Sequence, residues 1–387
     1  MSEVVISGVG NIPVGEHWEL SLREMGTKAI QDAIQDAGGL RPQALYIGNL
    51  LASTLSHQSN LGALLTEEAG LDGIESYTVE AAEASGAAAF RMGYLAVASG
   101  YVDNVLVLGV EKVTDVTDGV ENALTQVLDY DYEAVQGLSR AGAAGLLMQR
   151  YLHEYDLPAD ALKGFPMLAH RNAVSNPQAM FQKAIREESY RKAPLLSEPL
   201  SLFDAAPVAD GAAAVMLTRS DLLPPDLPQP SIRVLGSSLV IDSLSLHDRK
   251  DLLKFHAAQY SIERACRQAA LLPTDMDLFE VDDVFSIYAA LSLEAAGLAE
   301  NGQGWQYVPV EDGVVQTPKI PLLTFGGGKA RGYPVAANGM YQLIEAVQQL
   351  RGTAGENQVP NARRAVVQSL GGAAATAVTH VLECCDA

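Results

Sequence analysis

The stretch Val79-Glu-Ala-Ala-Glu-Ala-Ser-Gly86 leads directly into a run of small residues. Its first residues favour a strand, and residues 84–99 favour a helix that ends at Gly100. Glu83 is therefore expected at a helix N-terminus, inside otherwise apolar sequence. Such a position stabilises an anion through the helix dipole and the free N–H groups. It is also where a fold places a nucleophile, so Glu83 is a candidate functional residue.

The sequence around this stretch alternates between strand and helix periodicities. Short β-branched runs predict strands, and apolar residues three or four apart predict helices. The predicted strands are residues 4–9, 44–50, 77–81 and 105–110, and the predicted helices are residues 18–37, 59–69 and 84–99. Strands that alternate with helices imply parallel pairing in a layered α/β fold.

Residues 114–199 interrupt this rhythm, and we interpret them as an inserted loop domain. They contain two long predicted helices, residues 139–155 and 158–176. Residues 222–230 follow after one more predicted strand and hold four prolines, a composition typical of a linker.

The first pattern recurs after the linker. Residues 261–284 repeat the order and spacing of the elements predicted in residues 26–50. The sequence therefore predicts a tandem duplication with an N-terminal half at 1–230, which includes the loop domain at about 114–199, and a C-terminal half at 231–387.

Composition excludes several classes of function. The 387 residues include 47 acidic and 26 basic ones, for a net charge of −21, which disfavours nucleic acid and anionic membranes as partners. The three cysteines (Cys266, Cys384 and Cys385) form neither a disulfide framework nor a zinc site, and histidines with metal-ligand spacing are absent, so no metal is expected. We expect no signal peptide or membrane-spanning helix, and a cytoplasmic protein.

Two glycine-rich stretches lack the spacing that nucleotide binding requires. The run from Gly8 to Gly15 has a misplaced third glycine and contains Pro13. The run Gly326-Gly-Gly-Lys-Ala-Arg-Gly332 lacks the closing Gly-Lys-Ser/Thr of a P-loop. Each glycine of such motifs has a geometric role, so neither stretch predicts a nucleotide site.

A set of motifs in fixed order resembles the thiolase superfamily, in particular its sterol-carrier-protein and archaeal acetyl-CoA acetyltransferase branch. The motifs are Glu80-Ala-Ala-Glu-Ala-Ser-Gly86, Arg91-Met-Gly-Tyr-Leu-Ala-Val-Ala-Ser-Gly100, Leu108-Gly-Val-Glu-Lys112, Pro207-Val-Ala-Asp-Gly-Ala-Ala-Ala214, Glu280-Val-Asp-Asp-Val-Phe285, Thr324-Phe-Gly-Gly-Gly-Lys-Ala-Arg-Gly-Tyr-Pro-Val335 and Gln368-Ser-Leu-Gly-Gly372. The resemblance covers essentially the whole chain. It implies two duplicated βαβαβ halves in a five-layer αβαβα core, a dimer, and a role in acyl-CoA or lipid metabolism.

The active-site positions depart from the family pattern. The resemblance places Glu83 where the family has its nucleophilic cysteine, Asp282 at one family histidine, and Tyr333 at the other. Thiolysis needs a thiolate that forms a covalent acyl-enzyme, and a carboxylate is a far poorer nucleophile toward a thioester. We therefore take Glu83, Asp282 and Tyr333 as the candidate catalytic residues of an altered, degenerate site.

Three functions stay open at this point. The first is a carbon–carbon lyase of the retro-aldol type that uses Glu83, Asp282 and Tyr333, with Tyr288 as a second phenol or a core aromatic. The second is a non-catalytic subunit that completes a heterodimer with an intact thiolase. The third is a working acetyl-CoA acyltransferase with an unrecognised nucleophile. The resemblance also admits a homodimer and a small OB-fold, zinc-ribbon partner.

The expected ligand is a coenzyme A thioester, with no permanently bound cofactor. Four basic residues on loops near the motifs are candidates for contacts with the CoA phosphates, and each is also interpretable as an ordinary surface charge. They are Lys329, Arg331, His170 and Arg171.

Overall fold

The computed structural model describes residues 3–225 and 227–385. The first two residues of the N-terminal stretch and residue 226 of the proline-rich linker lie outside the described residues. Within the described ranges, no helix is long and apolar enough to cross a membrane. The boundary between the predicted halves stays a prediction.

The elements before the linker form one group. In chain order they are β1 (Val4–Asn11), α1 (Leu22–Asp36), β2 (Ala44–Gly48), α2 (Ala52–Leu55), α3 (Leu61–Glu68), β3 (Glu75–Val79), α4 (Ser85–Ser99), β4 (Asn104–Glu111), α5 (Val120–Leu124), α6 (Arg140–Glu154), α7 (Gly164–Ala173), α8 (Glu187–Arg191), β5 (Leu195–Ser197), β6 (Leu200–Ser201) and β7 (Gly211–Arg219).

The elements after the linker form the second group. They are β8 (Ile232–Ile241), α9 (His256–Ala269), β9 (Leu278–Glu280), α10 (Ser286–Ala295), β10 (Val310–Glu311), β11 (Val314–Val315), a π-helical turn (Gly327–Arg331), α11 (Asn338–Arg351), β12 (Arg364–Gly371) and β13 (Thr376–Cys384).

Two predicted helices begin later in the structure than the sequence periodicity indicated. Helix α1 begins after Ser21, whose side chain forms a capping box with Glu24. Helix α7 begins only at Gly164, two residues before Pro166, because proline has no N–H and fits only the first helical turn.

Within the described residues, nine strands form one sheet in the order β3-β2-β4-β7-β1-β8-β13-β12-β9. Strands β1 and β8 join the two groups through only two residue pairs. Outward from that junction, the strands of the first group follow the order β1-β7-β4-β2-β3, and those of the second group follow the order β8-β13-β12-β9. A fifth strand of the second group would lie beside β9, and at that place the structure has a parallel bridge between Phe279 and Leu322. The thiolase-like duplication of strand order is thus present.

The prediction of parallel pairing was only partly right. Strand β2 pairs in parallel with β3 and β4, and β9 pairs in parallel with β12. The other pairs are antiparallel, because β7 and β13 return to the sheet in the opposite direction. Periodicity identifies a strand but carries no information about its direction.

Alternate residues of each strand face different helix layers. In β4, Leu106 and Leu108 pack toward α1 and α3, whereas Val105 and Val107 pack toward α4 and α11. In β12, Val366 faces the cluster that contains α9 and α10, and Val367 faces α11. The order of layers is therefore helix, strand, helix, strand, helix, with α4 and α11 in the centre.

The central helices approach the strands at glycines. A Cβ on Gly48, at the end of β2, would lie 2.4 Å from the Cα and the N of Gly86 in α4. A Cβ on Gly86 would lie 2.6 Å from the carbonyl oxygen of Ala336, just before α11. Real side-chain carbons do not approach backbone this closely, so these positions require glycine.

We expect Gly48→Ala to lower the free energy of unfolding by about 1–3 kcal/mol or more, because β2 and α4 must move apart to accept the methyl group. The measurement is denaturant unfolding followed by circular dichroism. Gly15→Ala is the matched control, since its Cβ would meet only His17 Nε2 at 4.0 Å. Equal stability of the two variants would contradict the close approach.

Candidate active site

Glu83 lies in the turn between β3 and α4, two residues before the helix begins. The turn is held by Ser85, whose Oγ accepts a hydrogen bond from the N–H of Ala81 at 2.9 Å and donates one to the carbonyl of Ala82. Ala82 has φ of +53°, a left-handed conformation that costs a non-glycine residue about 1–2 kcal/mol. The strained backbone of this turn thus directs the Glu83 side chain into the protein interior.

The Glu83 carboxylate connects three parts of the fold. Its Oε2 accepts a hydrogen bond from the N–H of Gly372 at 2.7 Å, in the turn between β12 and β13. Its Oε1 lies 3.3 Å from Nη1 of Arg140, the first residue of α6. Both side chains are buried. Breaking such a buried pair by removing one partner costs about 3–5 kcal/mol, because a charge is left uncompensated.

Asp282 follows strand β9 and is buried beside Glu83. Its Oδ1 accepts from the N–H of Val284 and its Oδ2 from the N–H of Leu370, both at 3.1 Å. Burial raises the pKa of Asp282 to about 7; the two N–H donors oppose this rise, and the negative charges of Asp283 and Glu83 contribute to it. A carboxyl group with this pKa both gains and loses a proton near neutral pH.

Tyr333 follows the π-helical turn, and its backbone is fixed to the segment before β7. Its N–H donates to the carbonyl of Pro207 at 2.9 Å, and its carbonyl accepts from Ala209 at 3.0 Å. Its side chain is fully buried, and none of the described residues forms a hydrogen bond with its hydroxyl. The residue two positions later, Val335, has φ of +40°, which is a genuine outlier for a β-branched residue.

The structure brings the three predicted catalytic residues together. Burial raises the pKa of Tyr333 well above its usual range, and the negative charges of Asp282 and Glu83 add to this effect, whereas Arg140 opposes it. These charges act on Tyr333 because the four side chains share one buried region. Their catalytic roles stay predictions.

Tyr288 lies in the same region. Its ring packs against Phe285 and Phe255, with centroids 5.1 and 5.5 Å apart. Burial raises its pKa above the usual range, and the negative charge of Glu83 adds to this, while Arg249 opposes it. It is therefore a core aromatic whose surroundings include the charges of the candidate site.

Arg140 was not among the residues predicted from the sequence. Its guanidinium carbon lies 6.0 Å from the centre of the Phe285 ring, and its Nε has no hydrogen-bond partner among the described residues. A signal was present in the sequence. A lone arginine follows Ser139, the N-cap of α6, and a cation is disfavoured at that end of a helix unless an anion lies close to it.

Lys329 and Arg331, two of the predicted CoA contacts, are enclosed in the protein. The ammonium group of Lys329 donates to the carbonyl of Asp204, and burial lowers the pKa of Lys329 to about 8. Arg331 pairs with Glu345, with Nε and Oε1 2.9 Å apart, and donates from Nη2 to Asn338 at 2.7 Å. Both cations are therefore already paired with acceptor groups of the protein.

His170 and Arg171, the other two, lie on α7. The His170 ring stacks on Phe181 at 5.9 Å, and burial lowers its pKa. Arg171 is half-buried, and its Nη1 donates to the carbonyl of Val315 at 3.0 Å. The structure thus does not present the four basic residues on one open surface, and CoA binding by them stays a prediction.

The cysteines do not lie at the site. Cys266 is buried on α9, and burial raises its pKa to about 11. Cys384 ends β13, whose other end, Thr376, lies close to the Gly372 turn that binds Glu83. Eight residues of extended strand separate Cys384 from that end by roughly 27 Å. Among the described residues, no cluster of three or more metal-ligating side chains occurs.

Comparisons of the sequence with family models and with known proteins indicate the same family. A family model described as "Thiolase, N-terminal domain" matches residues 4–221, and one described as "Thiolase C-terminal domain-like" matches residues 238–384. The acetyl-CoA acetyltransferase of Methanothermobacter thermautotrophicus is 38% identical over 384 residues, which cover 98% of this chain and 99% of that protein.

Two further comparisons extend this picture. Rabbit (Oryctolagus cuniculus) sterol carrier protein 2 is 28% identical over 323 residues, 80% of this chain and 59% of that protein. A solved structure described as "Ltp2-ChsH2(DUF35) aldolase" superposes with a TM-score of 0.84 over 99% of this chain and 98% of that one, at 20% identity. That likeness shows the fold.

The raised pKa of Asp282 predicts a pH dependence of stability. Between about pH 4 and pH 7 the folded protein keeps a proton that the unfolded chain has lost, so this carboxyl group lowers stability as the pH rises. Asp282→Asn removes the titration. The unfolding free energy of the variant minus that of the wild type should increase from pH 5 to pH 7, by up to about 1.4 kcal/mol per unit. Urea titrations at each pH measure it, and a constant difference would contradict the raised pKa.

Proposed function

The chain belongs to the thiolase family, and on that premise we propose that it acts on acyl-CoA thioesters as a carbon–carbon lyase that forms no acyl-enzyme. The resemblance puts Glu83 at the position of the family cysteine, and this carboxylate is held by Arg140 and Gly372. A carboxylate that is bound in this way is a poor nucleophile toward a thioester.

The proposed reaction is retro-aldol cleavage of a 3-hydroxyacyl-CoA. The proton of the 3-hydroxyl group passes to the protein, and the electron pair of the C2–C3 bond moves to C2. C2 then takes a proton, and the products are a carbonyl compound and a shortened acyl-CoA. The reaction needs neither free CoA nor a thiolate, so the changes at all three family positions are compatible with it.

One observation carries the proposal: the Tyr333 hydroxyl is fully buried beside two carboxyl groups and has no partner among the described residues. Leaving a buried hydroxyl unpaired costs about 1–3 kcal/mol. A substrate oxygen supplies the missing partner. Because burial and the carboxylates keep Tyr333 protonated, its hydroxyl donates a hydrogen bond and holds that oxygen.

Asp282 is the proposed base. With a pKa of about 7, a large fraction of the group is ionised at neutral pH, and it takes the 3-hydroxyl proton and returns it at the end of the cycle. General acid–base catalysis is most efficient when the pKa of the group lies near the working pH. Each of its oxygens uses one lone pair for a backbone N–H, which leaves a second lone pair for the proton.

A second candidate function is a non-catalytic subunit of a thiolase complex. The Glu83–Arg140 pair favours it, because Glu83 stands at the family nucleophile position by resemblance and both side chains are buried and paired. The third candidate, an acyltransferase with another nucleophile, is supported by the names of relatives. It lacks support from geometry, because none of the three cysteines lies at the site.

Assembly and location are part of the proposal. We propose a dimer that uses the edge strand β3 and the nearby helix α4, where Tyr77, Met92 and Leu95 are exposed.

The name of the aldolase structure joins two components, Ltp2 and ChsH2(DUF35), and we propose that this chain likewise takes a small partner protein, of the OB-fold, zinc-ribbon type. A chain with only three cysteines fits a reducing cytoplasm.

The direct test is liquid chromatography and mass spectrometry of the protein with a panel of 3-hydroxyacyl-CoAs and 3-ketoacyl-CoAs, without free CoA. We expect a 3-hydroxyacyl-CoA to yield a carbonyl compound and a shortened acyl-CoA. Tyr333→Phe should lower this rate about 10²–10⁴-fold. The variant should be as stable as the wild type or more stable, because it loses a buried hydroxyl to which no described residue forms a hydrogen bond.

Tyr190→Phe is the matched control. Its hydroxyl is also buried but donates to the Asp204 carboxylate, 2.9 Å from Oδ2, so this variant should keep activity and lose about 1.5–3 kcal/mol of stability. Cleavage at the wild-type rate by Tyr333→Phe would contradict the assigned role. Absence of turnover of the whole panel by the wild type, alone and with its co-purified partner, would favour the non-catalytic subunit.

A further inference from the structure

The guanidinium group of Arg140 is a buried cation of the site, and its Nε has no hydrogen-bond partner among the described residues. We propose that Arg140 binds the thioester oxygen of the substrate and stabilises the enolate that forms when the C2–C3 bond breaks. This inference rests on the proposed function and names a catalytic residue that neither the family motifs nor the comparisons supply.

The contacts of Arg140 support a role beyond holding Glu83. Its one direct contact with that carboxylate is 3.3 Å long, whereas charge-assisted hydrogen bonds are usually 2.7–2.9 Å. Its Nε is buried and has no partner among the described residues. Guanidinium carries five N–H donors, so this side chain keeps donors for another acceptor.

Arg140 and Tyr333 each offer a hydrogen-bond donor for one oxygen of the proposed substrate. Each has a buried polar atom that lacks a hydrogen-bond partner within the described ranges, and each acts electrostatically on the other. A 3-hydroxyacyl thioester has two oxygens, at C3 and at C1. Tyr333 takes the C3 oxygen, and Arg140 takes the C1 oxygen, where negative charge develops.

Glu83 is then a positioning residue. Its Oε2 is fixed by the N–H of Gly372 at 2.7 Å, and its Oε1 keeps the guanidinium at the start of α6, where the helix dipole alone would disfavour a cation. A preorganised cation in a site that excludes water stabilises a developing oxyanion far more than it would in water.

The bond changes balance without another reactant. When the C2–C3 pair moves to C2, it delocalises onto the C1 oxygen beside Arg140. The enolate then takes a proton at C2 from the site. The reverse of this last step removes a C2 proton from a saturated acyl-CoA. Stabilisation of the enolate can therefore be measured separately from C–C cleavage.

The experiment follows exchange of the C2 protons of propionyl-CoA with D₂O by mass spectrometry, beside cleavage of the active 3-hydroxyacyl-CoA. Arg140→Ala should slow both rates about 10²–10³-fold with little change in KM. Guanidinium ion added to this variant should restore part of the rate, and urea, which has the same shape without the charge, should not. Arg150→Ala, on the same helix but exposed and paired with Glu154, is the matched control and should behave as the wild type.

Thermal unfolding shows whether each variant folds. If Arg140→Ala does not fold, Arg140→Lys replaces it, since the charge beside Glu83 is kept. Its ammonium lacks the planar fork, and we expect at least a tenfold loss of exchange. Exchange in the Arg140 variants within threefold of the wild type would overturn the proposal, and so would a wild type that exchanges no C2 protons. Exchange that depends on Arg140, without cleavage of any 3-hydroxyacyl-CoA, would reject the lyase and retain the enolate site.

Discussion

The close packing of α4 and α11 between the two parts of the sheet is the constraint on which the rest of the structure depends. Glycines permit it, because a Cβ on Gly48, Gly86 or Gly109 would meet backbone or a neighbouring side chain at less than 3 Å. With α4 fixed in this layer, the turn before it has one direction, and Glu83 points toward the Gly372 turn. The position of the site therefore follows from helix packing.

Burial then determines what these ionisable groups can do. Glu83 lies between Arg140 and a backbone N–H, Asp282 has a pKa of about 7, and the phenol of Tyr333 stays protonated. A fold that only lost its thiolysis chemistry would gain stability by replacing such groups with apolar ones of similar size. Two carboxyl groups, a phenol and a guanidinium group in one buried region fit the proposed acid–base chemistry.

The sequence was sufficient to place Glu83 at the end of a strand and before a helix, because the change of periodicity there is sharp. The grouping of Glu83 with Asp282 and Tyr333, far apart in the chain, came from the family resemblance and could not have come from periodicity. Charge alone could not indicate that Lys329 and Arg331 are buried, since a sequence shows that a residue is basic and not which protein groups it binds. Arg140 was missed because its partner lies 57 residues away.

The proposed function requires this thiolase-family protein to break a carbon–carbon bond without forming an acyl-enzyme. The most direct test is to quench the protein while it turns over a 3-hydroxyacyl-CoA, and to search its peptides for acylated side chains by mass spectrometry. We expect the thioester to be shortened while every side chain stays unmodified. An acyl group on Glu83, Cys266 or any other residue would contradict it and show that acyl transfer persists.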